Sequence, residues 1–257
     1  MIAAAVLAVA AAPAALAQSY TAAGLHCAAF RESARSEIET ETAGRLRRAL
    51  AERTGLWRFH ARDTAGGIAL EGWYDSLAVR HGAGDTLSAP DTDGIIGGRY
   101  RGRLTPRGDF LRLTTPFVPD ELAEAFDART ALDDLLPPLP PLALRVGARW
   151  TDGAGLDVTR EPDSTAAGRR LLRLTMRRRT ETSQTVPRGD TVPVPLEQTT
   201  TEESRVVWDP RAGLVHRSRR LVVDAALPAG GRVRSPVRSR VVQYAELTRV
   251  TPAPPCR

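Results

Sequence analysis

From residue 57 to residue 74 the chain changes polarity at nearly every step. Trp57, Phe59 and Ala61 share one side, with Arg58, His60 and Arg62 on the other; residues 63–67 make a turn, and Ile68, Leu70, Gly72 and Tyr74 resume the pattern. A period of two fits extended strands with one buried face, and the turn between the runs makes them a hairpin. The same pattern returns at 99–105 and 110–114, where Tyr100, Gly102 and Leu104 should point inward and Arg99, Arg101 and Arg103 outward. It returns again at 156–161, 170–181, 196–208, 213–225 and 233–250. Strands joined by turns, without alternating helices, predict a mainly β, antiparallel body. Strands this long and only half apolar predict a curved sheet, a half-barrel or open barrel, as one domain over residues 18–257.

One stretch departs from that rhythm. Pro119 and Asp120 are good helix starters, and the acids Asp120, Glu121 and Glu124 sit where the helix dipole favours them. Leu122, Ala125, Phe126, Arg129, Leu132 and Leu136 recur at helical spacing until Pro137 and Pro138 stop the run. Residues 119–142 are therefore expected to form one central helix and a proline-rich segment laid across the sheet. Residues 27–44, polar with weak alternation (Phe30, Glu32, Ala34, Ser36, Ile38), read as an edge-like strand. Residues 46–52 fit a strand or a short helix, and 81–98 a loop rich in glycine and aspartate.

The two ends bear on location. Residues 2–12 are apolar, and Ala15-Leu16-Ala17 before Gln18 is a small-x-small cleavage site, so residues 1–17 read as a signal peptide. The apolar run is too short to span a bilayer and Pro13 interrupts it, so no stable membrane span is expected. The expected location is secreted, periplasmic. In an oxidising compartment Cys27 and Cys256 are expected to pair, closing a loop whose lost chain entropy is nominally about 5 kcal/mol.

Composition excludes more than it assigns. All 36 basic residues are arginine, which reflects coding bias more simply than function, and the net charge of +6 arises mostly in residues 151–257. That basic half could meet an anionic envelope component, or pair internally with Glu197, Glu202 and Glu203. Aromatics make up only 5% and do not interleave with the arginines, which with secretion argues against a nucleic-acid partner. Asp91-Thr92-Asp93-Gly94 resembles the opening of a calcium loop but lacks the distal glutamate, so a turn capped by its aspartates is the expectation. His26, His60, His81 and His216 stand apart without metal-ligand spacing. No nucleophile elbow, zinc motif, phosphate loop or paired-cysteine motif occurs, so the reading assigns no catalytic residue, no metal and no cofactor, and is not that of an enzyme.

Leu139-Pro140-Pro141-Leu142, then Val146-Gly147-Ala148-Arg149-Trp150, and later Asp209 to Gly213 resemble an uncharacterised family of secreted bacterial proteins with L-P-x-x-P, V-G-x-x-W and D-x-x-x-G motifs. That resemblance implies no activity or site residue. In layout the chain is also similar to periplasmic lipoprotein carriers, curved half-barrels with helices over an apolar cavity. The functional expectation is a lipid or other apolar or amphiphilic small molecule bound between sheet and helix, with Leu122, Phe126, Leu132, Trp57 and Trp150 as ligand-binding residues. The alternatives are a structural or interaction module with a filled core and, further off, a hydrolase.

Overall fold

The computed structural model describes residues 18–84, 86–188, 191–229 and 235–251. After a one-turn helix α1 (Ala22–Leu25) come β1 (Ala29–Thr42), β2 (Arg45–Thr64), β3 (Gly67–Ala83), β4 (Thr86–Ser88), β5 (Tyr100–Leu104) and β6 (Phe110–Thr114). A short helix α2 (Asp120–Ala125) and a single 3-10 turn at Ala128–Thr130 follow. The second half comprises β7 (Arg149–Thr151), β8 (Leu156–Ala166), β9 (Arg169–Arg188), β10 (Thr191–Asp209), β11 (Gly213–Leu227) and β12 (Val237–Arg249). All twelve strands belong to one sheet, ordered β6-β5-β3-β2-β1-β12-β11-β10-β9-β8-β7 with β4 on β3, and every pairing is antiparallel. The sheet is open and curved, as the alternation predicts, and is not closed into a barrel.

Two meanders, one from each half of the chain, meet at β1 and β12. Their register runs unbroken from Phe30 opposite Arg249 to Thr42 opposite Val237. The strand read as edge-like is thus the centre of the sheet. Its polar residues are not a sign of an edge: the odd positions form an exposed outer face, and the even ones form an inner face that is buried only at one end.

Residues 115–148, here called the strap, cross the inner face from β6 at one margin of the sheet to β7 at the other. The expected long helix is absent. α2 ends at Phe126, which is fully extended at φ −163°, and the Asp127 side chain accepts from Arg129 N to start the 3-10 turn. The physical reason lies in the sheet, whose side chains take the carbonyls that a continuing helix would use. Tyr100 Oη donates to Ala128 O at 2.6 Å, Arg112 to Arg129 O at 3.0 Å, and Arg217 to Asp134 O and, at 3.1 Å, to Leu135 O. Along the proline-rich segment, Tyr20 Oη donates to Pro137 O, and Arg107 to Pro140 O and Pro141 O. An irregular buried backbone needs such donors, and arginine and tyrosine supply them.

Candidate ligand-binding face

The registers define rows of side chains running across the inner face, because directly paired residues point to the same side. One row reads Arg160, Leu174, Val206, Arg217, Leu247, Glu32, Gly55 and Leu77, and all eight are buried beneath the strap. Two rows further along, the sequence is Leu156, Arg178, Glu202, Leu221, Gln243, Ser36, Ala51 and His81. The strap ends near there: Ala131, Asp134 and Leu135 face Gln243 and Ala245 across a cleft of about 50 Å³.

Beneath the strap the space is filled. Trp57 and Leu122 have no exposed surface and Leu132 only 1%, and they share one core with Phe30, Phe59, Tyr74, Tyr100 and Leu104. Trp57 stacks parallel to Phe59 and lies against Tyr74 and Tyr100. Glycine makes room for this packing, since a Cβ on Gly72 would stand 2.9 Å from the Phe59 ring and 3.3 Å from Leu132, and one on Gly55 2.9 Å from the Tyr74 ring. Phe126 and Trp150 are half-buried at the margin of this core, and the Arg53 guanidinium sits 4.6 Å above the Phe126 ring. The five residues expected to bind a ligand are thus brought to one core. None of them lines the clefts described here.

Two glutamates on the inner face hold polar hubs at the limit of the filled region. Glu32 accepts from Arg53 Nε at 3.0 Å and Nη2 at 2.6 Å through one oxygen, and from Trp57 Nε1 at 2.9 Å and Tyr74 Oη at 3.0 Å through the other. Burial, then the Glu32 charge, push the Tyr74 hydroxyl well above its ordinary range, so it stays a donor. Glu202 accepts from Arg217 at 3.0 Å and Arg219 at 2.8 Å. Burial alone would raise its pKa, but Arg219 and Arg217 outweigh it and hold the carboxyl below the usual range. The pairing of Glu202 with arginines of the second half was expected from the sequence, whereas the Glu32 hub was missed. The available signal was Glu32 itself, a charge on the apolar phase of β1, which demands a buried partner.

Beyond the strap the inner face continues, and no described helix or strand crosses it. The next row is Thr180, Thr200, Val223, Val241, Ile38 and Ala49; the one after it is Thr182, Gln198, Ala225, Ser239 and Thr40, ending at Arg47. None of these residues is buried, and from β9 across to β1 neither row contains a charge. The outer face of the same strands is the opposite. One of its rows reads Glu181, Thr199, Asp224, Arg240, Glu39 and Arg48; another reads Arg177, Glu203, Arg220, Tyr244, Arg35, Glu52 and Arg80. A cleft of about 390 Å³ lies on that charged outer face among Glu39, Glu41, Glu197, Asp224, Arg238 and Arg240. Solvated sheet surfaces normally carry charges that discourage edge and face association. Here one face has them and the other does not.

Other residues singled out in the sequence find plainer places. Asp91 Oδ1 accepts from Asp93 N at 2.8 Å, the capped turn expected of that motif. His26 and His60, expected apart, have ring centroids 4.6 Å from each other, because α1 folds back over β2. No group of three or more metal-ligating side chains occurs among the described residues. The outer arginines do meet neighbouring acids, Arg177 with Glu203 at 3.4 Å and Arg240 with Asp224 at 3.7 Å. Cys27 precedes β1, its N–H donating to Phe59 O; Cys256 and residues 1–17 lie outside the described residues. No described helix is long and apolar enough to cross a membrane.

No protein-family model and no curated protein matches the sequence. Among solved structures, the chain is similar to one described as lipid–protein interactions in lipovitellin, with a TM-score of 0.52 at 10% identity over 90% of this chain and 26% of that one. The chain thus spans about a quarter of that structure's length, and the likeness is one of fold. A β-barrel-like protein of the DUF1849 domain of unknown function from Brucella abortus aligns with a TM-score of 0.16 at 12% identity, over 88% of this chain and 99% of that one. A DUF1329 family protein from Desulfovibrio piger ATCC 29098 aligns with a TM-score of 0.16 at 9% identity, over 86% of each chain.

Proposed function

We propose that this chain is a secreted, non-enzymatic protein of the cell envelope that holds the apolar part of an amphiphilic molecule against the uncovered inner face. The observation that carries the proposal is the pair of uncharged rows through Val223, Val241, Ile38 and Ala225, half-buried in the sheet and opposite a densely charged outer face. An acyl chain laid there removes apolar surface from water on both partners. At about 0.8 kcal/mol per fully buried methylene, a chain of about fifteen methylenes, half covered, gains roughly 6 kcal/mol before ordering costs. The polar hub at Glu202, in the row next to Ile38 and Val223, bounds the site at the strap end, where a headgroup would find hydrogen-bonding partners. A fold shared with a protein described by its lipid interactions supports the class of ligand.

Secretion rests on residues 1–17 and the Ala15-Leu16-Ala17 site. A chain starting at Gln18 keeps the buried N-terminal anchor, in which Tyr20 is 3% exposed and its N–H donates to Pro106 O. The Cys27–Cys256 bridge belongs to the same proposal. Val250 N–H donates to Ala29 O, which brings the last strand's end beside Cys27. The filled core under the strap favours a second reading, an interaction module without a ligand.

Native mass spectrometry of the protein isolated from its own envelope tests the choice. A retained amphiphile-sized adduct, lost on detergent exchange, is expected. A clean apo mass from gentle isolation would instead favour the interaction module.

A further inference from the structure

The opposite margin of the sheet carries a second unusual surface. On β6, Leu111 is 61% and Leu113 65% exposed, and Phe117 just beyond is 78% exposed. Leu111 stands opposite Arg103 and Thr114 opposite Arg101, with Leu113 the extra residue of an irregularity between them. Leu111 therefore lies on the outer face beside Arg103 and Arg101 of β5. Arg99 extends the cationic line, its guanidinium 3.6 Å over the Trp73 ring. Glu71 pairs with Arg99 at 3.3 Å and Arg101 at 3.0 Å, and among the described residues no carboxylate pairs with Arg103. Exposed leucine and phenylalanine fringed by excess arginine match the chemistry of an anionic lipid surface: the apolar groups enter the acyl boundary while the guanidiniums meet headgroup phosphates.

A second protein strand would be the other natural occupant of a sheet edge. The register irregularity within β6 and Pro116 just after it both disfavour strand addition there. We propose that the β5–β6 margin docks the protein on anionic membranes, with Leu111, Leu113 and Phe117 inserting and Arg101 and Arg103 binding headgroups. This goes beyond ligand binding on the inner face and does not depend on it.

Co-sedimentation of the mature protein with phosphatidylglycerol/phosphatidylcholine vesicles, against pure phosphatidylcholine vesicles, tests it. Binding to the anionic vesicles only is expected, weakened at about 0.5 M salt because exposed charges are then screened. At roughly a fivefold contribution per arginine, R101Q/R103Q should lower partitioning about twentyfold. L111S/F117S should also release the protein. R177Q/R220Q, which removes the same charge from the outer face of the second half, should leave binding nearly unchanged. Equal loss in both arginine pairs, or binding that survives R101Q/R103Q combined with L111S/F117S, would overturn the proposal, as would no binding by the unsubstituted protein. All substituted positions are exposed, and unchanged circular dichroism melts would confirm that each variant is folded. Failure of acyl-ligand binding would leave this result untouched.

Discussion

The same strands have two different ends. At the strapped end, inner positions of β1 and β2 hold Phe30, Glu32, Trp57 and Phe59, all essentially buried. At the other end the same phase of the same strands holds Ala34, Ser36, Ile38, Thr40, Ala49 and Ala51, none of them buried. The backbone pairing is continuous through both, so the difference lies in side-chain size and in the reach of the strap. Large aromatics need a cover and receive one from the chain itself. Small, uncharged residues leave a smooth face that none of the described helices or strands crosses, which is the physical basis for the proposal that an external molecule lies there.

Substitutions sharpen this contrast. The largest effect is expected at the strapped end from Glu32→Ala, which strands the Arg53 charge and the Trp57 and Tyr74 donors. Removing one partner of a buried ion pair costs about 3–5 kcal/mol, read as a drop in the urea midpoint. Next comes acid stability. The folded Glu202 carboxyl binds its proton less tightly than the unfolded one, because Arg219 and Arg217 outweigh the opposing effect of burial. Its stabilisation is therefore present above the ordinary glutamate range and is lost as pH falls through the lower folded-state value. Glu202→Gln should flatten the acid limb of a stability-versus-pH curve, whereas Glu203→Gln, on the exposed outer face, should not. The smallest effect on folding is expected at the uncovered end. Ile38→Ala should change stability by only about 0.5 kcal/mol, against about 2–5 kcal/mol for Leu132→Ala under the strap.

Much of the strapped end was legible in the sequence. The alternation of Trp57, Phe59 and Ala61, and of Tyr100, Gly102 and Leu104, gave the correct inner face, and the apolar residues of 119–142 are those that cover it. The conformation of that cover was not legible. Helical spacing from Leu122 to Leu136 is cut at Phe126 by donors such as Tyr100 and Arg217, which approach only once distant strands have assembled. The central place of β1 was hidden for a similar reason. Its partner β12 lies at the far end of the sequence, and local polarity does not report a pairing of that span. The alternation through Ser36 and Ile38 identified a face but not whether it is covered, because that depends on where the strap stops.

The central claim, that the ligand lies on the uncovered rows and not beneath the strap, is tested most directly by photo-crosslinking with a diazirine-bearing fatty acid, followed by peptide mapping. The account predicts adducts on peptides containing Ile38, Val223 and Val241, abolished by I38D/V241D in a protein that remains folded. Adducts at Leu122, Phe126, Leu132 or Trp150 would contradict it and place the ligand within a core that opens under the strap.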